Sequence, residues 1–270
     1  MNGFEPVVSS FYDLPSLDRA LKGVDTLLIS TFNLFTDCRC GYLNLLHEAV
    51  AEGVKRIIFI SSAGRGDSVS LPMQENRETE MHIQQSGIPY AVFRVNILME
   101  NLPFFIGTEQ GTGIYYPAGN GRVGFVSVHD VAEAILPFVT GRFGVENRAY
   151  TLSHEITYSF DDIAAKLSQY YSGRVKYESV DLAFYRKTLL QMDIPEDTVD
   201  RLCSVAKAIS LNCYDLSDYT LKRLLGRHAE QEQLRQRIRR WFSQKESGPF
   251  LFGSQLTMLS DYLHGMYHHL

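Results

Sequence analysis

Residues 53–64 read Gly-Val-Lys-Arg-Ile-Ile-Phe-Ile-Ser-Ser-Ala-Gly. Ile57, Ile58, Phe59 and Ile60 form a continuous apolar run, β-branched or aromatic throughout, and two serines and a glycine close it. A strand with one wet face alternates polar and apolar residues, whereas a strand covered on both faces does not. The run therefore predicts a buried strand in a parallel sheet with helices on either side. Ligands of open parallel sheets gather beyond the carboxyl ends of the strands. Ser61 and Ser62 stand at that end.

The flanking chain alternates in the same sense. Phe4–Ser10 reads as a strand, and a helix follows from Asp13 with Pro15 in its first turn and Leu17, Ala20 and Leu21 inward; Gly23 stops it. Val24–Ser30 is a second buried strand. Residues 41–52 form a helix with Leu45, Leu46, Ala49 and Val50 inward, leading to the strand at 55–61. A polar loop runs through Leu71, a helix spans 73–86 up to Ser86-Gly87, and Pro89–Arg94 is a further strand. Strands alternating with helices of this length signify βαβ units.

Beyond Arg94 the texture changes. Asn101-Leu-Pro-Phe-Phe is a loop or short helix, Gly113–Gly121 is turn-rich, and Val123–Val128 is strand-like. Ser127-Val-His-Asp130 caps a helix from Val131 to Thr140, with Asp130 read as the cap and His129 as a weak signal. Ala149–Ser153 is a strand, Ser159–Asp162 opens a helix over 160–171, and Val175–Val180 is a short strand. Helices at 181–190, 196–208, 217–225 and 229–243 make a small α-rich lobe from about Tyr150. In the last of these, Leu234, Ile238, Trp241 and Phe242 form a sealing face.

The 270 residues carry a net charge of −5, which gives no case for nucleic acid, where affinity comes from neutralising phosphates. Cys38, Cys40, Cys203 and Cys213 are scattered, and Cys38-Arg-Cys40 lacks the usual metal or redox spacing, so reduced thiols are expected. His264, His268 and His269 have no acidic or thiol neighbours and read as a solvated cluster, so no metal is expected. The N-terminus has no signal-peptide pattern and no run reaches membrane-spanning length, so the cytoplasm is the default location.

Several stretches together resemble the NmrA-like branch of the atypical short-chain dehydrogenases. These are Ala20-Leu-Lys-Gly-Val-Asp25, the strand to Ser61-Ser62, Glu80 with Ser86-Gly87-Ile88, Arg94 with Glu100-Asn101, and Ala118-Gly-Asn-Gly-Arg122 to Asp130-Val-Ala132. The likeness runs over residues 3–245 and is nearest the bacterial NAD(P)H:quinone reductase type; residues 246–270 lie outside it. It implies a Rossmann-like parallel sheet in an NAD(P)-binding unit at 1–149, with a substrate lobe at 150–245.

The strand at Phe4–Ser10 aligns with the third strand of such proteins, so the resemblance implies a sheet without the first, glycine-rich βαβ unit and with open edges around the gap. It also implies site residues. Ser10, Phe11, Ser30, Thr31 and Phe32 would lie along adenosine and its ribose. Ser61, Ser62 and Asn76 would lie near the nicotinamide, with Ser61 and Asn76 as the polar groups of the reaction. Met99, Glu100, Asn101 and Leu102 would close over the ring. Many relatives carry lysine where this chain has Asn76, and an amide cannot carry charge or give up a proton at neutral pH.

Three readings stand side by side. One is an NAD(P)H-dependent reductase passing hydride to a quinone or similar small electrophile. Another is a non-catalytic regulator in which dinucleotide occupancy alters association with a protein partner, as the asparagine suggests. The last is an inactive piece of a longer gene. Pairing of open strand edges predicts a homodimer.

Overall fold

The computed structural model describes residues 10–30, 39–65, 69–102, 105, 113–169 and 175–229. The expected strand at Phe4–Ser10 (save Ser10), Thr31, Phe32, Cys38, the expected helix at 229–243 beyond Ala229 and the terminal histidines lie outside them.

Among the described residues the main sheet has four parallel strands: β1 (Thr26–Ser30), β2 (Arg56–Ser62), β3 (Tyr90–Val95) and β6 (Arg148–Leu152), paired in that order. Helices α1 (Leu14–Leu21), α2 (Arg39–Ala51) and α3 (Leu71–Gln85) cover one face, and α4 (Val128–Val139) covers the other. β2 is buried on both faces, as its composition requires. Ile57 and Phe59 pack towards α2 and Ile83 of α3, while Ile58 and Ile60 pack towards Val131 and Ile135 of α4. Phe59 is wholly inaccessible, and burial of such a ring contributes about 2–3 kcal/mol.

The lobe adds α5 (Phe160–Ser168), α6 (Leu182–Gln191), α7 (Glu196–Ser210) and α8 (Thr220–Leu225). Two small ribbons join it: β4 (Gly113–Tyr115) beside β8 (Lys176–Glu178), and β5 (Arg122–Val123) beside β7 (Tyr158–Ser159). Tyr116, Phe105, Phe125 and Phe160 fill its core. β6 runs across position 150, so the main sheet and the lobe meet within this strand.

A strap at Cys213–Leu216 ties the lobe to the carboxyl ends of the sheet. The Arg65 backbone N–H donates to the Cys213 carbonyl at 2.9 Å and its guanidinium to the Asp215 carbonyl at 2.8 Å. The buried Asn96 amide donates to the Tyr214 carbonyl at 3.1 Å and to Ser153 Oγ at 2.9 Å, and Ser153 in turn donates to the Leu216 carbonyl. Ser70 Oγ lies 3.0 Å from the Tyr214 hydroxyl.

Several sequence expectations are corrected. Val50 is half exposed rather than inward, because the buried face of α2 is Tyr42, Leu45, Leu46 and Ala49, and the next residue turns about 100° away from it. Val123–Val128 is not one strand: Arg122–Val123 pairs with β7, Val126 bridges to Leu98, and Val128 already opens α4. Gly124 breaks the run, since a Cβ there would meet Ser153 Oγ at 2.2 Å and the Leu216 carbonyl at 2.7 Å. The cap of α4 is Ser127, whose Oγ accepts from the Asp130 N–H at 3.0 Å; the Asp130 carboxylate instead pairs with Arg227 at 2.9 Å. The helix expected from residue 160 opens as foreseen on a Ser159–Asp162 capping box but stops at Ser168, whose hydroxyl bonds back to the Ala164 carbonyl.

Candidate active site

β2 delivers Ser61 and Ser62 to the carboxyl edge of the sheet, and α3 returns across it. Ser70 precedes that helix and Pro72 lies in its first turn, where a missing N–H costs nothing. The first three turns of α3 then place Met73, Asn76, Arg77 and Glu80 against the ends of β2 and β3.

Asn76 is buried, and its Nδ2 donates to the half-exposed Ser62 Oγ at 2.6 Å. Ser61 is 2% exposed, and its hydroxyl is engaged twice: it donates to Glu80 Oε1 at 2.5 Å and accepts from Arg77 at 3.2 Å. Glu80, also 2% exposed, gathers both arginines. Arg94 of β3 donates to its Oε2 through Nε at 3.1 Å and through NH2 at 2.6 Å, and Arg77 pairs with its Oε1. Burial, and then the nearby Arg94, hold the Arg77 pKa below the usual guanidinium value, against the pull of Glu80. The same helix is tied to the lobe: Arg201 is 4% exposed and forks onto Glu75, and Ser204 Oγ accepts the Leu71 N–H at 3.0 Å.

Past Ser62 the chain is Ala63-Gly64, and Met73 lies against the glycine. A Cβ on Gly64 would meet the Met73 methyl at 1.9 Å. The floor beside Ser62 is therefore bare backbone faced by a thioether.

The remaining candidates fall into two groups. Met99, Glu100 and Asn101 form a single 3₁₀ turn running into Leu102. Met99 and Leu102 are buried in the lobe core, and Glu100 Oε1 accepts the Val128 N–H at 3.0 Å, reinforcing the start of α4. Asn101 is half buried and is the polar member able to orient a ligand. At the other end, Ser30 is exposed at the tip of β1, in register with Ile60. Ser10 is exposed and its N–H donates to Ser16 Oγ at 3.1 Å. Phe11 lies against Gly41 and Tyr42, with ring centroids 5.6 Å apart, and its carbonyl accepts from Asn44. Phe11, Ser30, Leu17, Leu28 and Tyr42 line a cavity of about 330 Å³ along the outer side of β1.

Sequence reasoning used Glu80 and Arg94 as motif positions without roles, and did not single out Arg77. The signal was present. A charge in the buried strand Tyr-Ala-Val-Phe-Arg-Val demands a buried partner, and Arg77 stands three residues before Glu80 on one helical face. Strong acids or bases are absent from the Ser62–Asn76 pair. The nearby Tyr214 hydroxyl is fully buried, and burial pushes its pKa up to about 12. His129, Asp130 and Glu133 cluster elsewhere, and Arg227 bridges the two carboxylates. Cys40, Cys203 and Cys213 are free thiols.

The sequence profile of the NmrA-like family matches residues 2–219. Quinone oxidoreductase 2 of Escherichia coli (strain K12) is 25% identical over 219 residues, covering 81% of this chain and 76% of that one. Among solved structures, an NADPH-dependent quinone oxidoreductase from Escherichia coli complexed with NADPH superposes with a TM-score of 0.78 at 23% identity, over 87% of this chain and 83% of that one. NmrA, a negative transcriptional regulator in complex with NADP, gives a TM-score of 0.66 at 17% identity, over 87% and 79% of the two chains.

Proposed function

The chain belongs to the NmrA-like family, and from that premise we propose that it is an NAD(P)H-dependent reductase acting on a quinone or similar small electrophile. The observation that carries this reading is the Asn76–Ser62 pair at the carboxyl end of β2, beside Gly64, whose Cβ position is taken up by the buried Met73 thioether. That is a neutral hydrogen-bonding pair, suited to the polar edge of a planar ring. NADP and NAD remain equal candidates.

The residues fit the ring end of a dinucleotide. Ser62 and Asn76 would take the nicotinamide ribose or carboxamide, Asn101 would orient the ring from the lobe side, and Ser30 with Ser10 and Phe11 would flank the adenosine half. The nicotinamide, when bound, supplies the hydride. The chain's own part is positioning and exclusion of water. Ser61, closed off by Glu80 and Arg77, acts as a positioning residue: it fixes α3, and hence Asn76, against β2. Asn76 donates a hydrogen bond but no proton, so a reduced quinone oxygen would be protonated from water. Free thiols in the described residues suit residence in the reducing cytoplasm.

The same neutrality favours a second reading, a dinucleotide-sensing regulator acting through a protein partner or a second copy, since a pair without an acid holds a cofactor without having to turn it over.

The test is titration of the chain with NADPH and NADH, following intrinsic fluorescence and thermal melting, and then turnover with a quinone. Saturable binding with turnover upholds the reductase; saturable binding without turnover upholds the regulator. No binding at millimolar cofactor overturns both.

A further inference from the structure

We infer that Arg77 and Arg94 form a binding site for a small oxyanion, a phosphate or carboxylate group, on the α3 face of the sheet. The argument begins with charge. Two guanidiniums converge on one carboxylate, Glu80, so the cluster keeps one positive charge. The nearest other acid on α3 that faces inward, Glu75, is occupied by Arg201. Among the described residues neither Arg77 nor Arg94 has a second carboxylate partner.

Geometry supplies the donors. Arg77 uses only NH1, towards Ser61 and Glu80, leaving Nε and NH2 without a hydrogen-bond acceptor among the described residues. Arg94 uses Nε and NH2, leaving NH1 likewise. Both side chains are about one-third exposed, at 29% and 34%, so these edges reach solvent while their inner nitrogens are held by the buried acid. A guanidinium fixed at one edge offers its other N–H groups in a preset plane, the geometry that planar or tetrahedral oxyanions accept bidentately. Burial and repulsion from Arg94 already penalise the charge of Arg77, and an added anion relieves that penalty. Ser61 completes the array by holding Arg77 to the end of β2.

This site does not depend on dinucleotide binding, so it is tested alone. The chain is titrated with sodium phosphate, and separately with sodium acetate, at constant ionic strength set by chloride. Thermal melting is followed in both, and ³¹P line width in the phosphate series. A saturable rise in melting temperature is expected with at least one ion; the ion that saturates at lower concentration identifies the chemical class.

Arg77→Met should weaken binding by about tenfold or more, the worth of a charge-assisted bidentate contact. Glu80→Gln should tighten it, because the cluster then carries a second unopposed positive charge. This opposite sign separates an anion site from a merely structural network, in which both variants only destabilise. Should Arg77→Met not fold, Arg77→Lys keeps the charge but loses the fork and is expected to bind more weakly. Failure of both ions to saturate, or equal binding by the Arg77 variant and the parent, overturns the inference.

Discussion

Two ionic clusters of this molecule, each with a buried acid, mirror one another. In the first, a single carboxylate, Glu80, holds two guanidiniums, Arg77 and Arg94. In the second, a single guanidinium, Arg227, holds two carboxylates, Asp130 and Glu133. The first is local, joining α3 to a strand fourteen residues on. The second is long-range, since Arg227 lies 97 residues from Asp130 and fastens the segment after α8 to the first turn of α4. The contrast separates two uses of partly buried charge. One braces the helix that carries the candidate site, and the other closes the fold around the sheet. In each, the shared central ion is the one whose loss leaves like charges facing one another.

Removing that central ion should have the largest effect. Glu80→Leu leaves two partly buried arginines side by side, and a loss of about 3–5 kcal/mol in urea unfolding is expected. Arg227→Met should cost less, about 2 kcal/mol, because the guanidinium is one-third exposed and water screens what remains. An equal loss in the two variants would collapse the distinction between bracing and closing. Removing a peripheral ion is milder still: Arg77→Met leaves the Arg94–Glu80 fork intact and should cost about 1 kcal/mol.

The next effect is in pH. His154 borders the second cluster, is 3% exposed, and burial lowers its pKa below 6.5, outweighing the hydrogen bond to the Ile156 backbone and the pull of Glu155 and Asp130. The unfolded chain therefore takes up a proton first as pH falls. Stability should be flat above the ordinary histidine pKa and decline below it, levelling off once the folded pKa is passed. In His154→Gln the decline between pH 7 and 5 should shrink, while the corresponding slope in Arg77→Met should match the parent. The smallest effect belongs to a position outside both clusters: Val50→Thr on the exposed side of α2 should change stability by under about 0.5 kcal/mol.

The sequence made most of the sheet legible because β1, β2 and β3 each carry an apolar run, of which Ile57–Ile60 is unbroken by any polar residue; β6, Arg-Ala-Tyr-Thr-Leu, is a weaker signal. Helix starts were less legible. Ser127 and Asp130 are both good caps in isolation, and only the depth of Asp130 beneath Arg227 decides between them. Val50 failed for a related reason, since an apolar residue at the margin of a helical face carries no mark of which side it takes. Of the site, the Ser61–Ser62 terminus and Asn76 were recoverable, since strand ends and helix spacing are local properties. That Ser61 meets Glu80 while Ser62 meets Asn76 was not, because two adjacent serines look alike in sequence and both partners come from the same helix, so only the packing of α3 decides which side chain each one meets.

The strap at Cys213–Leu216 bears on how the chain comes to be folded during synthesis. Asn96 at the end of β3 waits for the Tyr214 carbonyl, 118 residues later, and Ser153 at the end of β6 waits for Leu216, 63 residues later. Chains emerge from the ribosome N-terminus first, at about 5–20 residues per second. For several seconds, then, the four strands exist without the segment that satisfies their polar ends, and the edge from which the candidate site is built is the last part of the sheet to be completed.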